Sequence, residues 1–183
     1  KNDDLSFDSI KMIIEEAGKF ACDELDAINH LGDQEGIKLE NGVVRMPECF
    51  IKAYQNFVNT GWFSIIGEKK YGGQDLPLSA VVMINEIWHS TNMSFATNNM
   101  LTQGAVELLE SHGNEKQKEY YLPNLISGKW SGTMNLTEPH AGSDLSSIKT
   151  KAIEKDKKFL IKGTKIYITH GDQDMSDNII HLV

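Results

Sequence analysis

Cysteine, arginine and long apolar runs are scarce in this sequence, and each scarcity argues against one kind of structure or binding site. Only Cys22 and Cys49 are present, without a CxxC pattern, which is typical of a reduced, intracellular protein rather than a disulfide scaffold. A chance surface disulfide is the alternative. Arg45 is the only arginine, so two sites of this chain cannot supply a bidentate arginine clamp. No apolar stretch approaches the roughly 20 residues that a membrane-spanning helix needs.

Positive charge is also in short supply. The 183 residues carry 26 acidic and 18 basic side chains, for a net charge of -8. Phosphate neutralisation needs a basic surface, so a general nucleic-acid binder is disfavoured. With 40% hydrophobic residues the chain has enough apolar surface to bury a core. The apolar ending at 179–183 leads us to expect that the sheet to which it belongs continues beyond this chain.

Helical periodicity dominates up to about residue 130. Apolar residues recur every three or four positions, and proline and glycine mark the boundaries. Gly32–Gly42 is predicted to be a loop with a short hairpin at Asn41-Gly42, and Gly61 to be a left-handed cap. Pro123 is expected to break the fifth helix. The predicted helices cover 9–29, about 48–60, 78–89, 94–112 and 115–122.

The pattern changes to short β-branched and aromatic runs after Lys129. We expect Lys155-Asp156-Lys157 to turn one hairpin and Gly163 to bend the next connection. The fold class is therefore α+β, with a helical domain at 1–131 and the first part of a β domain at 132–183. The predicted strands cover 130–136, 148–154, 159–162, 165–169 and 179–183.

The segment from Met134 to Asp144 is the most informative for function. A strand runs into a tight polar loop in which Pro139 fixes one torsion and Gly142 permits close backbone approach. Such a loop can hold a phosphate or the polar edge of a ring, although an ordinary surface turn has the same composition. Asp172, Asp174 and Asp177 lack the glycine and the terminal glutamate of a calcium loop, so no metal site is predicted.

Several blocks, in order, resemble the acyl-CoA dehydrogenase family. They are Leu-Thr-Glu-Pro-x-Ala-Gly-Ser-Asp at 136–144, Ile-Lys-Thr-Lys-Ala at 148–152, and Ile-x-Gly-x-Lys-x-Tyr-Ile-Thr at 161–169. Tyr-Gly-Gly at 71–73 and His-Gly-Asn-Glu-Lys-Gln-Lys at 112–118 extend the resemblance upstream. It therefore covers most of the chain.

The resemblance implies a helical domain, a middle β-barrel domain and a C-terminal helical domain outside this chain, with FAD between barrel and helices. His140 and Ser143 would approach the CoA thioester. Phe95 to Ala105 would form a wall of the acyl pocket. The implied FAD-binding residues are Met134, Asn135, Leu136, Thr137, Gly142, Ser143, Tyr167, Ile168 and Thr169.

The implied reaction is α,β-dehydrogenation of an acyl-CoA thioester, with an electron-transfer flavoprotein as acceptor. In the commonest members of this family the base is a glutamate of the C-terminal domain, so no catalytic residue is expected in this chain. Glu138 is interpreted as structural. The resemblance also implies a homodimer or homotetramer in the cytoplasm, or in the mitochondrial matrix of a eukaryote. The composition predicts no membrane partner and disfavours a nucleic-acid partner.

The chain also departs from the commonest family pattern. His140 stands where glycine is frequent and Tyr167 where tryptophan is frequent, and Met134-Asn135-Leu136 is closer to methylthio-propanoyl-CoA dehydrogenases. His140 either bonds a polar group of CoA or is an exposed loop histidine. Two other functions stay open: an oxidase, and a catalytically altered flavin-containing binding protein, for example one associated with DNA.

Overall fold

A computed structural model of the chain describes residues 5–183, so the first four residues of the predicted helical domain lie outside the described part. Six α-helices precede residue 130. A π-helical turn, Ala21–Asp26, joins the first two into one continuous helix. The α-helices are α1 (Phe7–Phe20), α2 (Ala27–Glu35), α3 (Glu48–Asn59), α4 (Leu78–Thr91), α5 (Met93–His112) and α6 (Glu115–Ile126).

Caps and glycines set most of these boundaries as predicted. Asn114 and Gln117 form a reciprocal capping box at the start of α6. Gly61 is left-handed after α3, with a φ of 81°. Two expectations were wrong. The first helix runs through Gly32 as far as Glu35, and α6 continues through Pro123, because Leu122, Leu125 and Ile126 are almost completely buried there.

The strands pair two by two. Strands β1 (Lys38–Glu40) and β2 (Val43–Arg45) form the hairpin predicted at Asn41-Gly42. Strands β4 (Lys151–Lys155) and β5 (Lys158–Lys162) form the second predicted hairpin, turned by Asp156 and Lys157. Strand β3 (Trp130–Met134) pairs in parallel with β6 (Asn178–Leu182). Within residues 5–183 this is the start of a sheet domain, not a closed barrel.

The predicted strand at Lys165–Thr169 is absent from the described structure. Tyr167 has a φ of 56° and His170 a φ of 49°, and these left-handed torsions are incompatible with an extended ladder. Gly163 does not bend the chain through a positive φ. A Cβ there would overlap Thr150, so glycine allows the chain to pass close to that residue.

Two apolar clusters lie among the helices. The first contains the rings of Phe57, Phe63 and Trp88, where the Phe57 and Trp88 centroids are 4.6 Å apart. The second lies between α5, α6 and the β3–β6 pair, with Leu122 and Leu125 at its centre. Helix α4 divides its apolar side chains between the core and the surface.

The β3–β6 pair packs directly on α5. The N–H of Gly132 donates to Oγ1 of Thr102 at 3.1 Å, and a Cβ at Gly132 would lie 2.5 Å from Cβ of Ala105. Arg45 and the N–H of Met46 both bind the carboxylate of Asp174, which joins the β1–β2 hairpin to the loop before β6. None of the helices in the described residues combines the length and apolarity that crossing a bilayer requires.

Candidate functional site

Two of the segments predicted to bind the cofactor lie side by side. The chain leaves β3 at Met134, and the irregular segment 165–169 packs along the residues that follow. The N–H of Ile166 donates to the carbonyl oxygen of Thr137 at 3.0 Å, and Nζ of Lys165 donates to the carbonyl oxygen of Leu136 at 2.9 Å. Residues 29 positions apart are thereby joined.

Apolar side chains of these two segments are exposed. Met134 and Leu136 are 42% and 41% exposed, and Tyr167 is 90% exposed. The left-handed torsion of Tyr167 is unusual for an aromatic residue, and such strained positions cluster where a ligand is held. Together they offer an apolar surface of the kind that a planar ring system packs against.

Hydrogen-bond donors remain available next to that surface. Within residues 5–183, the backbone N–H groups of Leu136 and Thr137 donate to no acceptor. The hydroxyl groups of Thr137 and Thr169 likewise have no partner in the described part of the chain, whereas the carbonyl oxygen of Thr169 accepts from Thr133 at 2.7 Å. Donors fixed along one side of an apolar surface suit the polar edge of a flavin.

The loop that contains Gly142 and Ser143 is exposed and ordered by its own side chains. Glu138 and Ala141 exchange two backbone hydrogen bonds across its turn. The hydroxyl groups of Ser146 and Ser147 donate to the carboxylate of Asp144 and lower its pKa. Apart from its two chain neighbours, no residue of the described structure comes within 4 Å of a Cβ placed on Gly142, so the space beside it is open.

Glu138 is the buried acid of this region, with 3% of its surface exposed. Its carboxylate accepts from the N–H groups of Lys149 and Thr150, at 2.8 and 3.0 Å, and from Nζ of Lys165 at 3.0 Å. The neighbouring Thr150 hydroxyl, then the Lys149 amide, Lys165 and the Thr150 amide, lower the pKa of Glu138 to about 2. It is therefore a charged, fully engaged group.

His140 belongs to the same loop but not to the exposed apolar surface. Its Nε2 donates to the carbonyl oxygen of Ser147 at 3.1 Å and lies 3.4 Å from Oε2 of Glu138. The imidazole is 40% exposed, so one side of the ring remains open to solvent.

A cleft of about 1190 Å³ lies along the Tyr167–Thr169 segment. Asn135, Tyr167, Ile168 and Thr169 line it together with the end of α2 and the start of α3. The other predicted cofactor residues do not line it. These residues are Met134, Leu136, Thr137, Gly142 and Ser143.

Two histidines of the cleft were missed from the sequence. Nδ2 of Asn135 lies 3.0 Å from Nδ1 of His181, because the parallel register brings β6 beside β3. Nε2 of His170 donates to the carbonyl oxygen of Ser94 at 3.1 Å, and burial lowers the pKa of His170. The available signal was the position of His170 directly after the Tyr-Ile-Thr motif.

A polar seam between α4 and α5 was also missed. It consists of Asn85 and His89 on α4 and Asn99 and Gln103 on α5. Nδ2 of Asn85 donates to Oε1 of Gln103 at 2.9 Å. Among the described residues, five atoms of the seam have no hydrogen-bond partner: Asn85 Oδ1, His89 Nε2, both amide atoms of Asn99, and Gln103 Nε2.

Comparison with known proteins identifies the class that this fold represents. The acyl-CoA dehydrogenase N-terminal domain matches residues 8–129, and the acyl-CoA dehydrogenase middle domain matches residues 133–182. The chain belongs to the acyl-CoA dehydrogenase family, as its motifs predicted.

Among its relatives is the 3-methylmercaptopropionyl-CoA dehydrogenase of Ruegeria pomeroyi. The two are 44% identical over 181 residues, which are 98% of this chain and 31% of that protein. This relative agrees with the subgroup that Met134-Asn135-Leu136 suggested. The chain thus spans about a third of the length of this relative.

Solved structures agree on the fold. An acyl-CoA dehydrogenase from Geobacillus kaustophilus superposes with a TM-score of 0.79 at 25% identity, covering 98% of this chain and 43% of that one. An acyl-CoA dehydrogenase complexed with FAD from Bacillus anthracis gives a TM-score of 0.75 at 25% identity, covering 93% and 28%. The helical domain followed by the start of a sheet domain is thus confirmed.

Proposed function

We propose that this chain is the part of an FAD-dependent acyl-CoA dehydrogenase that holds the flavin ring and receives the thioester. One observation carries the proposal: free N–H and hydroxyl donors at Leu136 and Thr137 lie beside the exposed apolar side chains of Met134 and Tyr167. These residues fit a flavin, whose ring is planar and apolar on its faces and polar along one edge. The domain boundary at 131/132 is part of the same proposal.

Each segment has its own task in this proposal. The N–H groups of Leu136 and Thr137 bind the polar edge, Tyr167 packs on the ring, and the Thr169 hydroxyl lies near the reactive nitrogen. Asn135 and Ile168, which line the cleft together with Tyr167 and Thr169, support the two segments. The open space at Gly142, with Ser143 and His140 beside it, receives the CoA thioester. The bound FAD supplies the acceptor for a hydride from the β carbon.

The base that removes the α proton is proposed to be a glutamate outside residues 1–183. Glu138 is unsuited to that task, because its low pKa makes it a weak base and all its hydrogen bonds are directed to protein groups. Glu110 is not proposed as the base either, because its carboxylate already accepts a hydrogen bond from the N–H of Glu68. Glu154 lies on the exposed hairpin, away from the two flavin segments.

The named relative suggests the substrate class. We propose a short acyl-CoA with a thioether in its acyl chain, because the protein of Ruegeria pomeroyi is named for 3-methylmercaptopropionyl-CoA. An electron-transfer flavoprotein as acceptor and a homodimer or homotetramer as the assembly belong to the same proposal.

The test is anaerobic addition of thioesters to the full-length protein while the visible absorbance of the flavin is followed. We expect 3-(methylthio)propanoyl-CoA to bleach the flavin faster than pentanoyl-CoA, which has a methylene group in place of sulfur. Equal rates would contradict the substrate class. A bound flavin that no thioester bleaches would instead favour the binding protein, and rapid recovery of colour in air would indicate an oxidase.

A further inference from the structure

A buried ion pair ties together the segments on which the proposed flavin site depends. The side chains of Glu138 and Lys165 are 2% and 12% exposed, and Nζ of Lys165 lies 3.0 Å from Oε1 of Glu138. Every other lysine or arginine salt bridge in residues 5–183 has a partner that is more than half exposed. Exposed pairs contribute little, whereas a buried pair holds its groups in one geometry.

Glu138 joins three separate parts of the chain. It directly follows Leu136 and Thr137, it accepts from the N–H groups of Lys149 and Thr150, and it binds Lys165. Gly163 also belongs to this junction. A Cβ at Gly163 would overlap Thr150, so glycine lets the chain after β5 pass close to the chain before β4. The carboxylate therefore fixes where the chain before β4 and the chain after β5 meet the loop.

Lys165 extends the junction to the flavin segments themselves. Its Nζ also donates to the carbonyl oxygen of Leu136 at 2.9 Å, and the next residue, Ile166, donates from its N–H to Thr137 at 3.0 Å. Tyr167 follows immediately. The ammonium group thus sets the distance between the free N–H donors of Leu136 and Thr137 and the aromatic ring of Tyr167.

We propose that Glu138 is a positioning residue: through Lys165 it fixes the 136–137 donors relative to Tyr167–Thr169 and so sets the affinity and the reduction potential of the flavin. The inference rests on the proposed function. Glu138 itself makes no contact with the flavin in the proposed site. Loss of the carboxylate leaves Lys165 buried without a counter-charge, and the donors that Lys165 aligns then lose their fixed position.

The experiment compares variants of the full-length protein. Glu138→Gln preserves the shape and removes the charge, Lys165→Met removes the ammonium group, and the double variant removes both charges. Glu154→Gln is the matched control, because it makes the same change on the exposed β4 strand. The dissociation constant of FAD is measured by reconstitution of the apoprotein, and the reduction potential and visible spectrum of the bound flavin are recorded for each variant.

We expect each single variant to weaken FAD binding by about tenfold or more, because donors that have lost their fixed position must be ordered again when the flavin binds. The reduction potential and spectrum should shift with it, because fixed donors at the polar edge stabilise charge on the reduced ring. The double variant should lose less than the product of the two single losses, since the groups are coupled. Glu154→Gln should behave as the parent protein.

Folded Glu138→Gln and Lys165→Met proteins with the FAD affinity, potential and spectrum of Glu154→Gln would overturn the inference. If the single variants do not fold, the double variant decides, because it leaves no unpaired buried charge. A folded double variant with unchanged flavin properties overturns the inference, and so does one that also fails to fold, since Glu138 would then act on stability alone. A parent protein that takes up no FAD refutes the proposed function itself, and this inference with it.

Discussion

At the scale of single residues, Gly32 shows how a neighbour far along the chain decides what a glycine does. Its sequence surroundings, rich in glycine and acids, predicted a loop, but it lies inside α2. A Cβ at this position would overlap the ring of Phe50, which is 4% exposed and packs edge-on against Phe95 at 6.0 Å. The glycine therefore allows α2 to approach α3 closely.

Substitution of Gly32 by alanine should consequently destabilise the chain although alanine is the better helix former. Overpacking against a buried ring costs about 1–3 kcal/mol, more than the helix-propensity gain of about 1 kcal/mol. Gly18→Ala is the control, because within residues 5–183 only its chain neighbours and the backbone of its own helix come within 4 Å of a Cβ at that position. Denaturant unfolding should show Gly32→Ala less stable and Gly18→Ala equally or more stable than the parent. A Gly32→Ala protein as stable as Gly18→Ala would contradict this packing.

At the scale of elements, periodicity and capping residues predicted the helices within a few positions, because both act locally. Helix α6 shows where local rules fail. Pro123 removes one backbone hydrogen bond, but Leu122, Leu125 and Ile126 are almost fully buried and tertiary packing outweighs the break. The predicted strand at 165–169 failed because the left-handed Tyr167 cannot be recognised from β-forming composition.

Only those residues of the candidate site that belong to recognisable motifs could be predicted from the sequence. The resemblance identified Leu136, Thr137 and Tyr167, and the structure brings the two segments together. The structure also separates the predicted residues into those that line the cleft and those that lie outside it, a division that no motif indicates. Lys165 as the link and His181 beside Asn135 depend on contacts 29 and 46 residues apart along the chain, beyond the range of local sequence rules.

His170 follows the Tyr167–Thr169 segment and binds the start of α5, and this should make stability depend on pH. Burial lowers the pKa of His170 below its ordinary value of 6.5, so the folded state holds the ring neutral. As the pH falls below 6.5, the unfolded chain binds the proton more readily, and the free energy of unfolding decreases. This contribution to stability is fully present above pH 6.5.

His170→Gln tests the dependence, since the glutamine amide retains a donor for the carbonyl oxygen of Ser94 without titrating. We expect denaturant midpoints measured from about pH 8 to 5 to fall less for this variant than for the parent. His112→Gln, at the exposed end of α5, should preserve the parental slope. The same loss of stability on acidification in His170→Gln would show that another group is responsible.

At the scale of the whole molecule, stability is concentrated in the helices and the β3–β6 pair. Both apolar clusters lie there. Every residue of β4 and β5 is exposed, including Ile153, Leu160 and Phe159. A two-stranded hairpin without a packed face is marginal by itself. In the chain described here, the hairpin is attached to the fold chiefly where Thr150 and Lys165 meet Glu138.

Hydrogen exchange of the 183-residue chain should therefore divide it into two parts. Amides of β4 and β5 should exchange through openings that require little free energy. The opening free energies of amides in α5 and α6 should approach the free energy of global unfolding.

Leu160→Ala should change stability by no more than about 0.5 kcal/mol, because surface substitutions rarely exceed that. Leu122→Ala, which truncates the same residue type at a fully buried position, should cost about 2–5 kcal/mol. Hairpin amides that are as well protected as those of α5, or equal costs for the two truncations, would contradict this division. Either result would mean that β4 and β5 are packed in the core.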